Sequence, residues 1–118
     1  MRKCAALIVE DDESVQSLLQ VVLRKHCTSV DLAGDGEAAI AMVRSASYDL
    51  VLLDLMLPKV NGLAVSEAIQ ALPTKPKVIV LSAISRYFAD RFPEDTLVLQ
   101  KPFDIDKIED VIRTLDAD

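Results

Sequence analysis

Ala5-Ala6-Leu7-Ile8-Val9-Glu10-Asp11-Asp12-Glu13, close to the start of the chain, is an apolar run of strand length that breaks off in four consecutive acids. Runs of strand length recur at residues 30–32, 50–53, 78–81 and 97–99, and several are apolar at every position. A half-buried strand alternates apolar and polar residues. A continuously apolar one is buried on both faces, as in a parallel sheet covered by helices.

Helical patterns fill the intervals. Val15, Leu18, Leu19, Val22 and Leu23 repeat at i, i+3, i+4, i+7, i+8 and set one apolar stripe against a sheet. Asp12 and Glu13 at the start of that segment and Arg24-Lys25 at its end suit the helix dipole. Residues 36–44 form a second, alanine-rich helix entered through Gly34-Asp35-Gly36, and residues 63–72 a third, stopped by Pro73. Ile105, Ile108, Val111, Ile112 and Leu115 give the last helix one apolar face, with Asp104 as its N-cap. The weakest helix is at 85–92, short and closed by Pro93. Strand and helix thus alternate five times, which predicts one α/β domain over residues 1–118: a doubly wound three-layer sandwich on a parallel sheet.

Composition narrows the function. The 118 residues carry a net charge of −6, which repels phosphate backbones and anionic lipid heads and so argues against direct nucleic-acid or membrane binding. No apolar run approaches the roughly 18 residues of a membrane span, and the basic start Met1-Arg2-Lys3 leads into no export signal. Cys4 and Cys27 could pair, but without a CxxC or a Cys/His cluster they read as two reduced thiols of a cytoplasmic protein. His26 is the only histidine, so no zinc site is built from His and Cys. Neither GxGxxG nor GxxxxGK[ST] is present.

In doubly wound sheets ligands bind beyond the carboxyl ends of the strands, at the switch point of the strand order. Glu10 and Asp11 follow the first strand, Asp54 the third, Ser82 the fourth and Lys101 the fifth. Each alone is ordinary: acids before a helix cap it, and a polar residue after a strand makes a turn. Together they are not. In a flavodoxin-like order 2-1-3-4-5 the first and third strands are neighbours, which sets Glu10 and Asp11 beside Asp54. Three carboxylates in one cleft repel, and a hard cation such as Mg²⁺ (or Mn²⁺) relieves the repulsion. A carboxylate can act as a nucleophile and form an aspartyl phosphate, Lys101 offers a point charge to a phosphoryl oxygen, and the Ser82 hydroxyl can donate a hydrogen bond to another.

The motifs Leu7-Ile8-Val9-Glu10-Asp11-Asp12, Asp54-Leu55-Met56-Leu57-Pro58-Lys59-Val60-Asn61-Gly62, Ser82-Ala83 and Lys101-Pro102-Phe103 occur in this order and spacing. In them the chain resembles the receiver domain of two-component response regulators over nearly its whole length. The resemblance implies that Asp54 is the phosphoacceptor, that Asp11 ligates Mg²⁺ directly, Glu10 through water and Met56 through its backbone carbonyl, and that Ser82 and Lys101 are the switch hydroxyl and the phosphate-binding lysine. It leaves Asp12 as a loop or capping acid and implies a cis peptide between Lys101 and Pro102. The implied donor is a sensor histidine kinase or phosphotransfer protein. The implied reader is a downstream partner or an output domain, none of which is encoded in this chain, and homodimerisation stays open.

The chain departs from the family pattern in three places. Val98 stands where the family carries an aromatic ring that moves with the switch hydroxyl. The interval from Ser82 to Lys101 is short and holds Tyr87, Phe88 and Phe92, so the family's fourth helix is expected to be short or remodelled, its aromatics either capping the core or facing a partner. Met56 and Ile84, at positions that flank the path of water, predict slow self-hydrolysis. Two other readings compete: a receiver-like interaction domain that never uses phosphate, and a Mg²⁺-dependent phosphohydrolase with an Asp nucleophile. The second usually carries another Asp two residues after the nucleophile, where this chain has Met56.

Overall fold

The computed structural model describes residues 4–55, 62–82, 96–100 and 105–116. Its elements run β1 (Ala5–Val9), α1 (Glu13–Arg24), β2 (Ser29–Ala33), α2 (Gly36–Ser45), β3 (Leu50–Asp54), α3 (Gly62–Gln70), β4 (Lys77–Ser82), β5 (Leu97–Gln100) and a C-terminal helix (Ile105–Asp116). The five strands form one parallel sheet in the order β2-β1-β3-β4-β5. This is the expected doubly wound, flavodoxin-like fold. The expected helix at 85–92, with Tyr87, Phe88 and Phe92, and the Asp104 cap lie outside the described residues.

Side chains along a strand point to alternate faces, and here the alternation separates two cores. Ala6, Ile8, Leu50, Leu52, Ile79 and Leu81 face one side, where Leu19, Val22 and Leu23 of α1 and Ile108 and Ile112 of the C-terminal helix cover them. Leu7, Val9, Val51, Leu53, Val78 and Val80 face the other, under Ala39 and Val43 of α2 and Val65 and Ile69 of α3. β3, in the middle, is buried at all five positions. β2 is an edge strand and mostly exposed, which is why its sequence shows only a short apolar signal. It extends one residue beyond 30–32 at each end.

Two helix starts are fixed by aspartates. The Asp12 carboxylate accepts from the backbone N–H groups of Ser14 (2.8 Å) and Val15 (3.3 Å), and that of Asp35 from Ala38 (2.8 Å). An N-cap of this kind satisfies donors that the first turn of a helix leaves open. The third helix begins one residue earlier and ends two earlier than Pro73 alone suggests, the chain leaving the helix through a bend at 72–74. No helix among the described residues is long and apolar enough to cross a membrane.

Candidate functional site

The register of the sheet builds the site. Val9 of β1 pairs with Leu53 of β3, so the next residues along, Glu10 and Asp54, arrive level at the carboxyl edge of adjacent strands. Asp54 is itself the last residue of β3, paired with Leu81 of β4, and does not follow the strand as a turn residue would. The next residue, Leu55, keeps the ladder in register by donating its N–H to the Leu81 carbonyl (3.1 Å).

One carboxylate oxygen from each of Glu10, Asp11 and Asp54 lies within 4.8 Å of the other two. Glu10 is 1 % exposed and Asp54 4 %, whereas Asp11 is open to solvent. Two of the acids are buried and one is exposed, so the cluster meets solvent on the Asp11 side. The donor set is all oxygen and carries up to three negative charges, which suits a hard divalent cation that keeps part of its water shell. The residues present therefore fit the expected metal.

The backbone around Glu10 is pinned from three directions. Its N–H donates to the Ala33 carbonyl of β2 (3.1 Å), its carboxylate accepts from the Asp12 N–H (3.2 Å), and its carbonyl accepts from the Gln16 side-chain amide. These bonds divide the acidic run. Glu10 turns inward to the cluster, Asp11 stands at its open side, and Asp12 turns away to cap α1. The capping alternative for Asp12 is the one adopted, and Gln16 is a neighbour that nothing in the sequence pattern marked.

Gly62 is a second such neighbour. It opens α3 directly against the end of β3, its N–H donating to the Leu55 carbonyl (3.0 Å). A Cβ at this position would lie 2.7 Å from the Leu55 Cα and 2.9 Å from the carbonyl oxygens of Asp54 and Leu55. Only glycine lets the helix approach the backbone that carries Asp54 so closely. The Asn61-Gly62 motif was visible in the sequence, but its reason is a contact between elements.

Ser82 closes β4 beside Gln100 of β5; its hydroxyl lies outside the described residues, as do Met56, Ile84, Lys101 and the Lys101–Pro102 peptide. Val98 is half-buried against the core under α2 and α3. An aliphatic side chain packed there has no ring to swing between two positions.

Compared with known families, the chain matches the response regulator receiver domain over residues 6–113. It is 34 % identical to Response regulator ArlR of Staphylococcus epidermidis, over 92 % of this chain and 51 % of that one, so it spans about half the length of the curated relatives it matches. Among solved structures it resembles response regulator protein TrrA of Thermotoga maritima, solved in complex with Mg(2+)-BeF, with a TM-score of 0.82 and 30 % identity over 97 % of this chain and 99 % of that one. It also resembles the receiver domain of the Saccharomyces cerevisiae response regulator Ssk1, co-crystallised with the histidine phosphotransfer protein Ypd1. There the TM-score is 0.78 and the identity 25 %, over 93 % of this chain and 86 % of that one.

Proposed function

The chain belongs to the response regulator receiver domain family, and from that premise we propose that it is a phosphorylation-dependent signalling module in which Asp54 accepts the phosphoryl group. The observation that carries this reading is the meeting of Glu10, Asp11 and Asp54 at the carboxyl ends of β1 and β3, with one oxygen from each within 4.8 Å of the others. Asp54 sits at the end of the most buried strand, held in place by packing on both faces. Such a fixed carboxylate is a pre-oriented nucleophile.

In the proposed reaction an Asp54 carboxylate oxygen attacks the phosphorus of the donor. A P–O bond to Asp54 forms as the bond from phosphorus to the donor's nitrogen or oxygen breaks, and the electron pair leaves with the donor. Glu10 and Asp11 are the residues that would hold Mg²⁺ with Asp54, Asp11 from the solvent side and Glu10 from the buried side, and the Met56 carbonyl is assigned to the same set. Bound there, the cation would offset the repulsion between carboxylates and phosphoryl oxygens. Lys101 and Ser82 are assigned to the phosphoryl oxygens as charge and hydrogen-bond donor.

The donor class is a phosphohistidine protein, in keeping with the phosphotransfer partner seen with the Ssk1 receiver domain. TrrA, taken up with Mg(2+)-BeF, gives a parallel for the metal. The module is read as cytoplasmic, with a protein partner or a linked domain as its reader and no chemistry beyond its own phosphoryl gain and loss.

The test is incubation with Mg²⁺ and a small acyl phosphate, followed by intact mass. The expected result is a gain of one phosphoryl group, lost with EDTA and absent in Asp54→Asn. No gain with any donor, in protein shown to be folded, would overturn the reading in favour of a phosphate-independent interaction domain.

A further inference from the structure

At the opposite end of β1 from the acidic cluster, the Cys4 and Cys27 sulfurs lie 2.8 Å apart. Both residues are thiols, 4 % and 5 % exposed, and both belong to the core beneath α1 and the C-terminal helix. A disulfide bond is about 2.05 Å long, so about 0.8 Å of closure separates this pair from one. The backbone on each side is already anchored. The Cys27 N–H donates to the Leu23 carbonyl (2.8 Å). The Cys4 carbonyl accepts from the N–H groups of Thr28 (2.8 Å) and Ser29 (3.2 Å) and from the Thr28 hydroxyl (3.0 Å), which in turn accepts from the Cys4 N–H (3.2 Å).

We infer that Cys4 and Cys27 form a reversible oxidative modification site, a dithiol that a peroxide converts to a disulfide joining the residue before β1 to the turn that follows α1. One thiolate attacks a peroxide oxygen, the O–O bond breaks, and a sulfenic acid and one water result. The second sulfur then attacks the sulfenic sulfur and expels a second water. Two S–H bonds and one O–O bond are exchanged for one S–S bond and two waters. The sulfurs give up two electrons, and the peroxide takes them. Proximity makes the second step fast relative to further oxidation, because the attacking sulfur is already in place. In a reducing compartment the dithiol is the resting form, and thiol exchange restores it.

The bond would close a loop between positions 23 apart in the chain. Loop-closure entropy for that length shifts the unfolding equilibrium by about 300-fold, or the thermal midpoint by about 14 °C. The site is independent of phosphoryl transfer, so its test stands apart from that of Asp54.

The full chain is treated with hydrogen peroxide, quenched with catalase, then denatured in the presence of N-ethylmaleimide and weighed. Maleimide adducts are counted rather than oxygens, because the three methionines also take up oxygen. The expected result is no adduct after peroxide and two adducts when dithiothreitol precedes the maleimide. The oxidised protein should also melt about 14 °C higher, with the gain removed by dithiothreitol and absent in Cys4→Ala and Cys27→Ala. Two adducts after peroxide, separate sulfinic acids on the two cysteines, or an unchanged midpoint in the oxidised wild-type protein would each overturn the inference.

Discussion

Replacing Gly62 with alanine should strike the platform of Asp54 without touching any carboxylate. The added methyl would lie 2.7 Å from the Leu55 Cα and 2.9 Å from two carbonyl oxygens, where ordinary contact begins at 3.4 Å. All three neighbours are backbone, and Leu55 is tied to β4 through its N–H and to α3 through its carbonyl. Relief therefore requires about 0.7 Å of movement of the strand end or of the whole helix. Overpacking by a methyl costs about 1–3 kcal/mol. The better helix propensity of alanine offsets less than about 1 kcal/mol, since the position is the first of its helix. A net loss of about 2 kcal/mol follows. With an unfolding entropy of about 2.1 cal/mol/K per residue and 118 residues, the midpoint falls by about 8 °C. Gly34→Ala is the control: a Cβ there meets nothing within 4 Å, and the midpoint should move by no more than about 4 °C. Thermal unfolding followed by circular dichroism reads both variants, and phosphoryl uptake in Gly62→Ala should slow as Asp54 is displaced. A Gly62→Ala midpoint equal to or above wild type would refute the claim that α3 is seated on this backbone.

Asp12→Ala removes the acceptor of two backbone donors and should cost about 1 kcal/mol, about 4 °C, with phosphoryl uptake unchanged; loss of uptake in the folded variant would make Asp12 a ligand rather than a cap. Glu109, on the C-terminal helix, accepts a 2.8 Å hydrogen bond from His26 in the turn after α1. That bond first, with help from nearby positive charge and against partial burial, holds its carboxyl below the usual range. A depressed carboxylate stabilises the fold above its ordinary range and loses that contribution as pH falls through the lowered value. The midpoint of Glu109→Gln should therefore lie below wild type at neutral pH, and the gap should close as the pH is lowered below the ordinary carboxylate range; a constant gap would contradict the linkage. Mg²⁺ at ten times its dissociation constant should add about 1.4 kcal/mol of stability, about 6 °C, reversed by EDTA and reduced in Asp11→Asn. An identical midpoint with and without the cation would remove the metal from the account.

What the sequence revealed depended on how each signal arises. β1 and β3 are buried on both faces and announce themselves as unbroken apolar runs, whereas edge strand β2 is solvated and shows only Val30 and Leu32 between polar residues. The acidic cluster was legible because parallel topology fixes which strand ends are neighbours. The division of labour within Glu10-Asp11-Asp12 was not, since a ligand and an N-cap are both carboxylates and only burial and hydrogen bonding separate them. Gly62 against Leu55 and Cys4 against Cys27 are contacts between distant positions. Local propensity carries no record of either.

Trapping the phosphorylated residue itself tests the central claim most directly. After exposure to Mg²⁺ and an acyl phosphate, borohydride reduces an aspartyl phosphate to homoserine, and peptide mass spectrometry locates it in the chain. Homoserine is expected at position 54 and at no other aspartate; homoserine at Asp11 or Asp12 with Asp54 intact would overturn Asp54 as the phosphoacceptor.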